Sequence, residues 1–386
     1  MSFRSDRERR LVLVISAVVF VDTMFYAVIA PLLPGLSHEL HLSKLSAGVM
    51  TASYPLGTLL GSLPGGILAT RAGPRPTVMS GLVLLAGSTA AFAVLHDAAA
   101  LDLSRLVEGV GGACSWAGGL AWVASETPSE RRGAMIGRTL AAAIAGALLG
   151  PVIGTLASAI GRAPAFGAVI VMAAILFEAC RRLPSRHVPV EQGLSEVRAA
   201  LARPGISSGM WLVALPAIAS GVMTVLAPLR LHQLGAGAGA IGATFLLAAA
   251  AEALVSPTVG ALSDRRGRML PLRLGLAIAA GLLLCFTLPS SALLLACVVV
   301  AVDGALGAFW APAMAMLSDA AERHSLDQAL AAALMNLAWA SGQALGSGVG
   351  GPLADASGDA IPTAITAGLC LGTLLAITRR RVPRAA

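Results

Sequence analysis

Long apolar stretches fill most of the chain and are separated by short polar intervals. At about 20 residues for each membrane crossing, this pattern predicts twelve membrane-spanning helices. The only long polar interval covers residues 182–206 and divides the helices into two sets of six. We therefore expect an N-terminal six-helix bundle over 1–181, a cytoplasmic linker, and a C-terminal six-helix bundle over 207–386. The predicted spans are residues 11–33, 47–69, 76–95, 99–124, 134–158, 164–181, 207–230, 240–262, 270–289, 291–315, 328–352 and 358–378.

The two halves repeat short segments at nearly the same spacing. Gly66–Gly73 recurs as Gly260–Gly267, and Gly146–Gly154 recurs as Gly342–Gly350. Because two independent matches share almost one offset, they indicate a duplicated six-helix unit. Parallel repeats of this kind build transporters in which two bundles rock around a site at the membrane midplane.

The composition excludes a soluble protein, since 56% of the residues are hydrophobic and only 12% are charged. Soluble domains carry roughly 25% charged residues. The net charge of +7 does not indicate a nucleic-acid partner, because all but four of the 27 Lys and Arg residues fall in predicted cytoplasmic segments. The four exceptions are Lys44, Arg162 and Arg230 on the outer side and Arg105 within a span. This asymmetry predicts a lipid-embedded multi-pass protein with both termini in the cytoplasm.

The chain lacks the motifs of phosphate, metal and catalytic sites. Lys44 is the only lysine and follows no glycine-rich run, so no Gly-Lys-Ser/Thr phosphate loop is present. His38 and His41 do not have the i, i+4 spacing of a zinc-protease helix, and no histidine falls in a predicted span. We expect no metal, no cofactor and no enzymatic activity. The preference for Arg over Lys is typical of a GC-rich bacterial genome, so we expect the bacterial inner (cell) membrane.

Several segments resemble the motifs of the major facilitator superfamily. Gly66–Pro76 and its repeat Gly260–Arg268 resemble the loop motif between helices 2 and 3 and between helices 8 and 9 of that family. Arg105–Gly112 resembles the helix-4 motif, and Gly146–Gly154 resembles the helix-5 motif. The resemblance covers nearly the whole chain. It implies an all-α integral membrane protein with twelve helices in two six-helix bundles related by a parallel repeat.

A narrower resemblance points to the twelve-helix drug:proton antiporters. Gly146–Gly154 is similar to the helix-5 motif of that branch. Asp22, together with Pro31 and Pro34 in the first span, is similar to the same branch, which includes the vesicular amine transporters. This resemblance implies export of small molecules by alternating access, with the proton gradient as the energy source.

We expect the loop and helix-5 motifs to control opening and closing. An acid at a cytoplasmic helix end meets the partial positive charge of a neighbouring helix, and arginines pair with acids on a facing loop. The first loop copy has Thr70 where the family usually has Asp, which weakens any charge-dependent contact of this loop. We expect Arg71 to pair with Glu126 there. The helix-5 motif predicts a kinked hinge, although an ordinary tight packing face explains it too. The residues assigned to gating are Gly66, Arg71, Gly73, Glu126, Gly146, Gly150, Pro151, Gly154, Gly260, Asp264, Arg265, Gly267 and Arg268.

Three acids fall near the midplane of predicted spans. Asp22 lies about 17 Å into the first span, and Glu252 and Asp303 lie about 18 Å from the other face. A charge at a helix centre costs roughly 2.5–3.5 kcal/mol on insertion scales, so such an acid faces a cavity or a partner. In the family fold helices 1, 4, 7 and 10 line the cavity, which favours Asp22 and Asp303 over Glu252. A structural carboxyl group packed between helices is the alternative.

Span 4 supplies the expected counter-charge. Arg105, Glu108 and Trp116 share one helical face with Gly109, Gly112 and Gly119. Because Arg105 keeps its charge, it favours the ionised form of a nearby acid and helps that acid to release its proton. The resemblance implies the same role for Arg105; the alternative is that Arg105 and Glu108 only pair with each other. We expect four aromatic residues to line a substrate pocket: Phe25, Tyr26, Trp116 and Trp310.

These observations predict a secondary active transporter that exports small apolar or cationic drug-like compounds in exchange for protons. We expect Asp22, Arg105, Glu108, Asp303 and Glu252 to couple transport to protons. The partners are then a small-molecule substrate, protons and the lipid bilayer, and we expect a monomer. Proton-coupled import or facilitated uptake of a nutrient such as a sugar or metabolite stays open. A membrane sensor or scaffold that kept the fold is a further alternative.

Overall fold

The computed structural model describes residues 2–127, 129–185, 194–324, 326 and 328–379, and every secondary-structure element within them is a helix. The first half contains α1 (Ser2–Tyr26), α2 (Ile29–Glu39), α3 (Lys44–Arg71), α4 (Pro74–Val94), α5 (Ala98–Glu126), α6 (Ser129–Ile160) and α7 (Arg162–Arg182). The short helix α8 (Leu194–Leu201) precedes the second half. That half contains α9 (Pro204–Gln233), α10 (Ala238–Arg266), α11 (Met269–Leu284), α12 (Ala292–Arg323), α13 (Gln328–Ser357) and α14 (Ala360–Arg379).

Eight stretches of the described chain are long and apolar enough to cross a membrane. They lie in α1 with α2, and in α4, α6, α7, α9, α10, α12 and α14. Helix α11 is apolar but has only 16 residues. The three other long helices, α3, α5 and α13, carry many small and polar residues such as Gly and Ser, which lowers their hydropathy. These three helices pack against one another in the middle of the molecule.

The first predicted span is not one continuous helix. We expected residues 11–33 to form a single helix, whereas α1 ends at Tyr26 and α2 begins at Ile29. The physical cause is Pro31, which has no N–H to donate to the carbonyl four residues earlier and whose ring clashes with that carbonyl at Ala27. The break leaves carbonyl groups at the end of α1 available to other donors.

Each half of the described chain has its own apolar core. One cluster of buried side chains runs from Leu11 to Cys180 and includes Trp122 and Phe166. The other runs from Val197 to Cys370. Polar residues at the junction between the halves thus lie beside two apolar cores, where a buried polar group without a partner is costly.

Two glycines mark equivalent turns in the two halves. Gly73 between α3 and α4 has φ 102°, and Gly267 between α10 and α11 has φ 82°. Residues with a Cβ rarely adopt this left-handed region, so both turns require glycine. The two positions are 194 residues apart, as the repeat predicts. We call the end of the molecule that carries these turns the Gly73 end, and the opposite end the Lys44 end.

The two halves pack together through α3 against α13 and α6 against α10. At the Lys44 end, a Cβ added to Gly48 would lie 2.7 Å from the carbonyl oxygen of Ser347, so these helices touch through their backbones. Towards the Gly73 end, Leu63 and Ile67 of α3 pack against the core of the second half. Helix α3 therefore contacts the second half along most of its length.

Charged contacts join the two halves at the Lys44 end. The Lys44 Nζ contacts Asp359 Oδ1 at 2.6 Å, and Arg230 contacts the same carboxylate at 3.5 Å. Asp355 accepts hydrogen bonds from the backbone N–H groups of Lys44 at 3.2 Å and Leu45 at 2.7 Å. A carboxylate from the second half thus caps the start of α3, where the helix dipole favours negative charge. We call this set of contacts the Lys44 seam.

Candidate functional site

Asp22 is a buried acid held by two neutral donors. Its residue surface is 1% exposed, and it lies one turn before the end of α1. The Tyr54 hydroxyl of α3 donates to the two carboxylate oxygens at 3.3 and 3.2 Å, and the Trp116 indole N–H of α5 donates at 3.0 Å. Three helices therefore position one carboxyl group without placing a cation in direct contact with it.

The space for this arrangement depends on a glycine of α5. A Cβ added to Gly112 would lie 2.6 Å from the Tyr54 hydroxyl and 2.7 Å from Asp22 Oδ1. Real Cβ atoms do not approach other atoms so closely. Gly112 is thus the position that lets α1, α3 and α5 bring the acid and the tyrosine together.

Arg105 contacts Glu108 and the end of α1. Its Nη1 lies 3.0 Å from Glu108 Oε2 and donates to the Phe25 carbonyl at 3.4 Å, and its Nη2 donates to the Tyr26 carbonyl at 3.2 Å. We expected Arg105 to act on a nearby acid, with pairing to Glu108 alone as the alternative. The structure shows the pair with Glu108 one turn along α5, and Arg105 also caps the break in the first span, because a helix C-terminus carries partial negative charge that attracts a cation.

The second half contributes two acids in a different setting. Asp303 of α12 and Glu252 of α10 are both half-buried, whereas Asp22 and Glu108 are 1% exposed. The two helices approach closely here, since a Cβ added to Gly307 would lie 2.6 Å from Glu252 Cγ. Both acids lie near enough to Tyr26 of the first half to act on it electrostatically. The structure therefore brings the acids of both halves to one region.

Three aromatic rings meet where the halves join. The ring centroids of Tyr26 and Tyr54 are 4.8 Å apart, and the Trp339 ring of α13 lies 5.4 Å from Tyr26 and 6.3 Å from Tyr54. The Arg105 guanidinium lies 5.2 Å from the centre of the Tyr54 ring. We call Tyr26, Tyr54 and Trp339 the aromatic junction. Sequence reasoning missed Tyr54 and Trp339; the one available signal was that both tyrosines of the chain fall inside predicted spans.

The other predicted pocket aromatics have different places. Phe25 is fully buried and packs edge-on against Phe166 at 4.9 Å and Phe92 at 6.3 Å, so it belongs to the apolar core and does not line a pocket. This corrects its assignment to the site, and the reason is that an adjacent residue on a helix points in a different direction. Trp116 contacts Asp22 directly. The side chain of Trp310 lies outside the described residues.

The chain matches a known protein family over most of its length. The family model of the Major Facilitator Superfamily matches residues 15–347 and 210–386. The chain belongs to the major facilitator superfamily. Membership of this transporter superfamily and the apolar helices make it a multi-pass membrane protein.

Curated relatives share part of the sequence with this superfamily member. The MFS-type transporter ppzB of Metarhizium majus (strain ARSEF 297) is 32% identical over 129 residues, which cover 32% of this chain and 28% of the relative. The quinolone resistance protein NorA of Staphylococcus aureus (strain MRSA252) is 28% identical over 114 residues, which cover 30% of this chain and 29% of the relative. The matched stretch thus spans less than a third of each relative's length.

Solved structures share the fold of this superfamily member. The D-xylose-proton symporter has a TM-score of 0.75 and 18% identity, with 97% of this chain and 98% of that chain covered. A bacterial homologue of the human lysosomal transporter Spinster, solved inward-facing and unoccupied, has a TM-score of 0.69 and 16% identity, with both chains fully covered. The expected major facilitator fold of two six-helix bundles is therefore confirmed.

The helix-5 motif of the superfamily packs against the break in the first span. A Cβ added to Gly150 would lie 2.6 Å from the Met24 carbonyl, and one added to Gly154 would lie 2.6 Å from Pro31 Cγ. Gly146 likewise faces the backbone of α1 at Phe20. In the second half, Gly342, Gly346 and Gly350 of α13 make the equivalent approach to α9. The repeated motif is therefore a backbone-to-backbone contact in both halves.

Pro151 of the same motif lies where α6 meets the second half. Its carbonyl accepts a hydrogen bond from the Thr155 hydroxyl at 2.9 Å, and a Cβ added to Gly242 of α10 would lie 3.2 Å from that carbonyl. The part of α6 around Pro151 therefore contacts α10 directly. A hinge at Pro151 stays a prediction.

The loop motifs of the superfamily lie at the Gly73 end. Glu126 contacts Arg7 of α1 at 3.3 Å, a partner that sequence reasoning did not foresee, and the expected pair of Glu126 with Arg71 stays a prediction. Gly66 is buried in α3, next to the Gly73 turn. In the second copy, Gly267 forms the turn and Arg268 pairs with Asp319 at 2.5 Å. The surroundings of Gly260 and the side chains of Asp264 and Arg265 lie outside the described residues.

Metal-ligating side chains do not gather in the part of the chain that the structure describes. No group of three or more His, Cys, Asp or Glu residues is placed to hold an ion there. The described candidate site consists of acids, one arginine and aromatic rings.

Proposed function

We propose that this superfamily member exports small cationic or apolar drug-like compounds in exchange for protons. In this proposal Asp22 carries the exchanged proton. Glu108 and Arg105 keep the broken first span in place, and Asp303 and Glu252 face the substrate from the second half. The observation that carries the proposal is the setting of Asp22: a carboxyl group near the midplane, held by Tyr54 and Trp116.

The balance of charge near the midplane supports a cationic substrate. Four carboxyl groups and one guanidinium are described there, and the guanidinium already pairs with one of the acids: Asp22, Glu108, Asp303, Glu252 and Arg105. Clefts lined by one sign of charge concentrate ions of the opposite sign. The aromatic junction adds ring faces, which attract organic cations. A cation that carries apolar groups suits both features.

The partial similarity to the quinolone resistance protein NorA supports export. The alternative, proton-coupled uptake of a nutrient, uses the same fold, as the D-xylose-proton symporter illustrates. The distribution of basic residues supports the further proposal that both termini are cytoplasmic. The preference for Arg over Lys supports the proposal that the protein resides in a bacterial cell membrane. We also propose that it acts as a monomer, without a bound cofactor and with the proton gradient as its energy source.

The test compares dye and antibiotic accumulation in a bacterial host that lacks its own efflux pumps. Cells with the wild-type protein should accumulate less of at least one cationic compound than cells with empty vector, and a protonophore should abolish the difference. Asp22→Asn should lose the export, because an amide cannot exchange a proton. Asp22→Glu, which keeps a carboxyl group, should retain part of it.

The matched control is Asp102→Asn. Asp102 is also in a helix of the first half, but it lies ten residues from Gly112 along α5, or about 15 Å. This variant should export like the wild type at equal surface expression. Unchanged proton-dependent export by Asp22→Asn would refute the coupling role of Asp22. Higher accumulation with the wild type than with the vector would favour uptake.

A further inference from the structure

A glutamine of the second half is buried beside the aromatic junction without a hydrogen bond. Gln343 of α13 is 1% exposed, and among the described residues neither its amide oxygen nor its amide nitrogen has a hydrogen-bond partner of normal geometry. Buried polar groups in proteins are nearly always paired, since an unpaired one is destabilising. This side chain therefore requires an explanation that packing alone does not give.

The surroundings of Gln343 place its amide at the contact between the halves. The amide lies next to the Tyr26 hydroxyl, close to hydrogen-bonding distance but outside normal hydrogen-bond geometry. Trp339 precedes Gln343 by four residues on α13, so the two side chains share one face of the helix. The same face thus presents an indole ring and an amide to the first half.

The backbone carbonyl of Gln343 has a hydrogen-bond donor and a close packing partner, in contrast to its side chain. The Gln343 carbonyl accepts a hydrogen bond from the Ser347 hydroxyl at 2.7 Å, and α9 approaches this backbone closely at Gly221. Helix α13 is therefore fixed in position at this point. The amide has a defined place and an unused capacity for one acceptor and two donor interactions.

We propose that Gln343 and Trp339 form the substrate subsite of the second half, which binds a planar aromatic cation that carries a hydrogen-bonding group. The Gln343 amide bonds that group, the Trp339 ring covers the aromatic part, and the acids near Tyr26 face the positive charge. This inference rests on the proposed function, because it requires a small-molecule binding site at the aromatic junction. It does not depend on proton coupling or on the direction of transport.

The experiment is equilibrium binding to the purified protein in detergent, with two probes that differ in hydrogen bonding. Ethidium is a planar aromatic cation with two amino groups, and tetraphenylphosphonium is an aromatic cation with none. Gln343→Met keeps the length of the side chain and removes the amide. It should raise the Kd for ethidium about 3- to 10-fold, as expected for one lost hydrogen bond, and leave the Kd for tetraphenylphosphonium within about 2-fold.

Further variants separate the subsite from the stability of the fold. Trp339→Leu should weaken the binding of both probes, since both lose the contact with the indole ring. Gln233→Leu is the matched control, because Gln233 is an exposed glutamine at the end of α9, and it should change neither Kd. Gln343→Met should melt at the wild-type temperature or above, since it removes an unpaired buried amide. If Gln343→Met does not fold, Gln343→Asn, which shortens the amide, should show the same selective loss of ethidium.

The outcomes distinguish this inference from the proposed function. Equal weakening of both probes by Gln343→Met, or an unchanged Kd for ethidium, would show that the amide is structural and overturn the subsite. Wild-type protein that binds neither probe would overturn the substrate class. Selective weakening of ethidium binding by Gln343→Met would support the subsite whatever the result with Asp22→Asn. Continued export by Asp22→Asn would refute only the proposed proton coupling through Asp22.

Discussion

The polar groups of the two halves are connected in different ways. In the first half, Asp22 accepts from Tyr54 and Trp116, and Arg105 uses both terminal nitrogens on Glu108 and on the end of α1. In the second half, Asp303 and Glu252 are half-buried, and Gln343 has no hydrogen bond. In the described residues, the acids near the midplane of the first half are therefore held by hydrogen bonds, whereas those of the second half and the Gln343 amide are not.

This difference exists although the two halves repeat the same packing. The glycines of α6 approach α1 at its break, and the glycines of α13 approach α9 at Ala214, Ile218 and Val222. Those three residues of α9 are not ionisable, whereas α1 carries Asp22. The duplication thus preserved the backbone contacts, and in the proposed function the proton-exchanging acid lies in the first copy.

The largest expected effect comes from breaking the charge pair of the first half. Arg105→Met leaves Glu108 as an unpaired buried charge and removes the donors to α1. Removing one partner of a buried pair costs about 3–5 kcal/mol, so the midpoint of thermal unfolding in detergent should fall by about 5–10 °C. The exposed Arg138 provides the control, since Arg138→Met should shift the midpoint by less than about 1 °C.

A double variant sharpens this prediction. Arg105→Met combined with Glu108→Met replaces the pair by apolar side chains of similar length and should recover part of the lost stability. A double variant less stable than Arg105→Met alone would show that the contacts with the end of α1, rather than the charge of Glu108, dominate.

The second effect concerns the space around Asp22. Gly112→Ala places a methyl group against Asp22 and Tyr54, and overpacking of this kind costs about 1–3 kcal/mol. Export should fall about 10-fold or more, because the acid and its donor are pushed apart. Gly87→Ala is the matched control, since a Cβ at Gly87 meets nothing within 4 Å. Wild-type accumulation with Gly112→Ala would mean that the contact between Tyr54 and Asp22 is dispensable.

The smallest effect is expected in the second half. Asp303→Asn removes a charge that is not tied into a network of the kind around Asp22, so the melting midpoint should change by less than about 1 °C. The Kd for ethidium should rise about 2- to 5-fold, as for a partly solvated charge contact. A fall in stability as large as that of Arg105→Met would contradict the difference between the halves.

The sequence alone identified the charged part of this site but not the neutral part. Asp22 and Arg105 are recognisable because ionisable residues are rare inside membrane spans. Tyr54, Trp339 and Gln343 are of types that occur in many spans, and their importance depends on how each helix is rotated towards its neighbours. The pair of Arg105 with Glu108 was among the alternatives, because the two residues are three apart on one helix. The contacts of Arg105 with the end of α1 were not predictable, since they depend on where α1 ends.

The fold was predictable further than the site. Apolar stretches and the repeat fix the number and the order of the helices, and the motif glycines indicate where backbones meet. The break after Tyr26 was missed although Pro31 was visible, because a proline in a helix produces anything from a slight bend to a full interruption. Its consequence for Arg105 then follows only from the three-dimensional arrangement.

The Lys44 seam has a practical consequence. Lys44 is the only lysine in the sequence, and it lies where the two halves touch, paired with Asp359. An amine-reactive fluorophore therefore has one side chain to modify, apart from the amino terminus. The rate at which the fluorophore reacts with Lys44 should depend on how often the two halves separate at the Lys44 seam. This separation can therefore be measured in the native protein without an engineered cysteine.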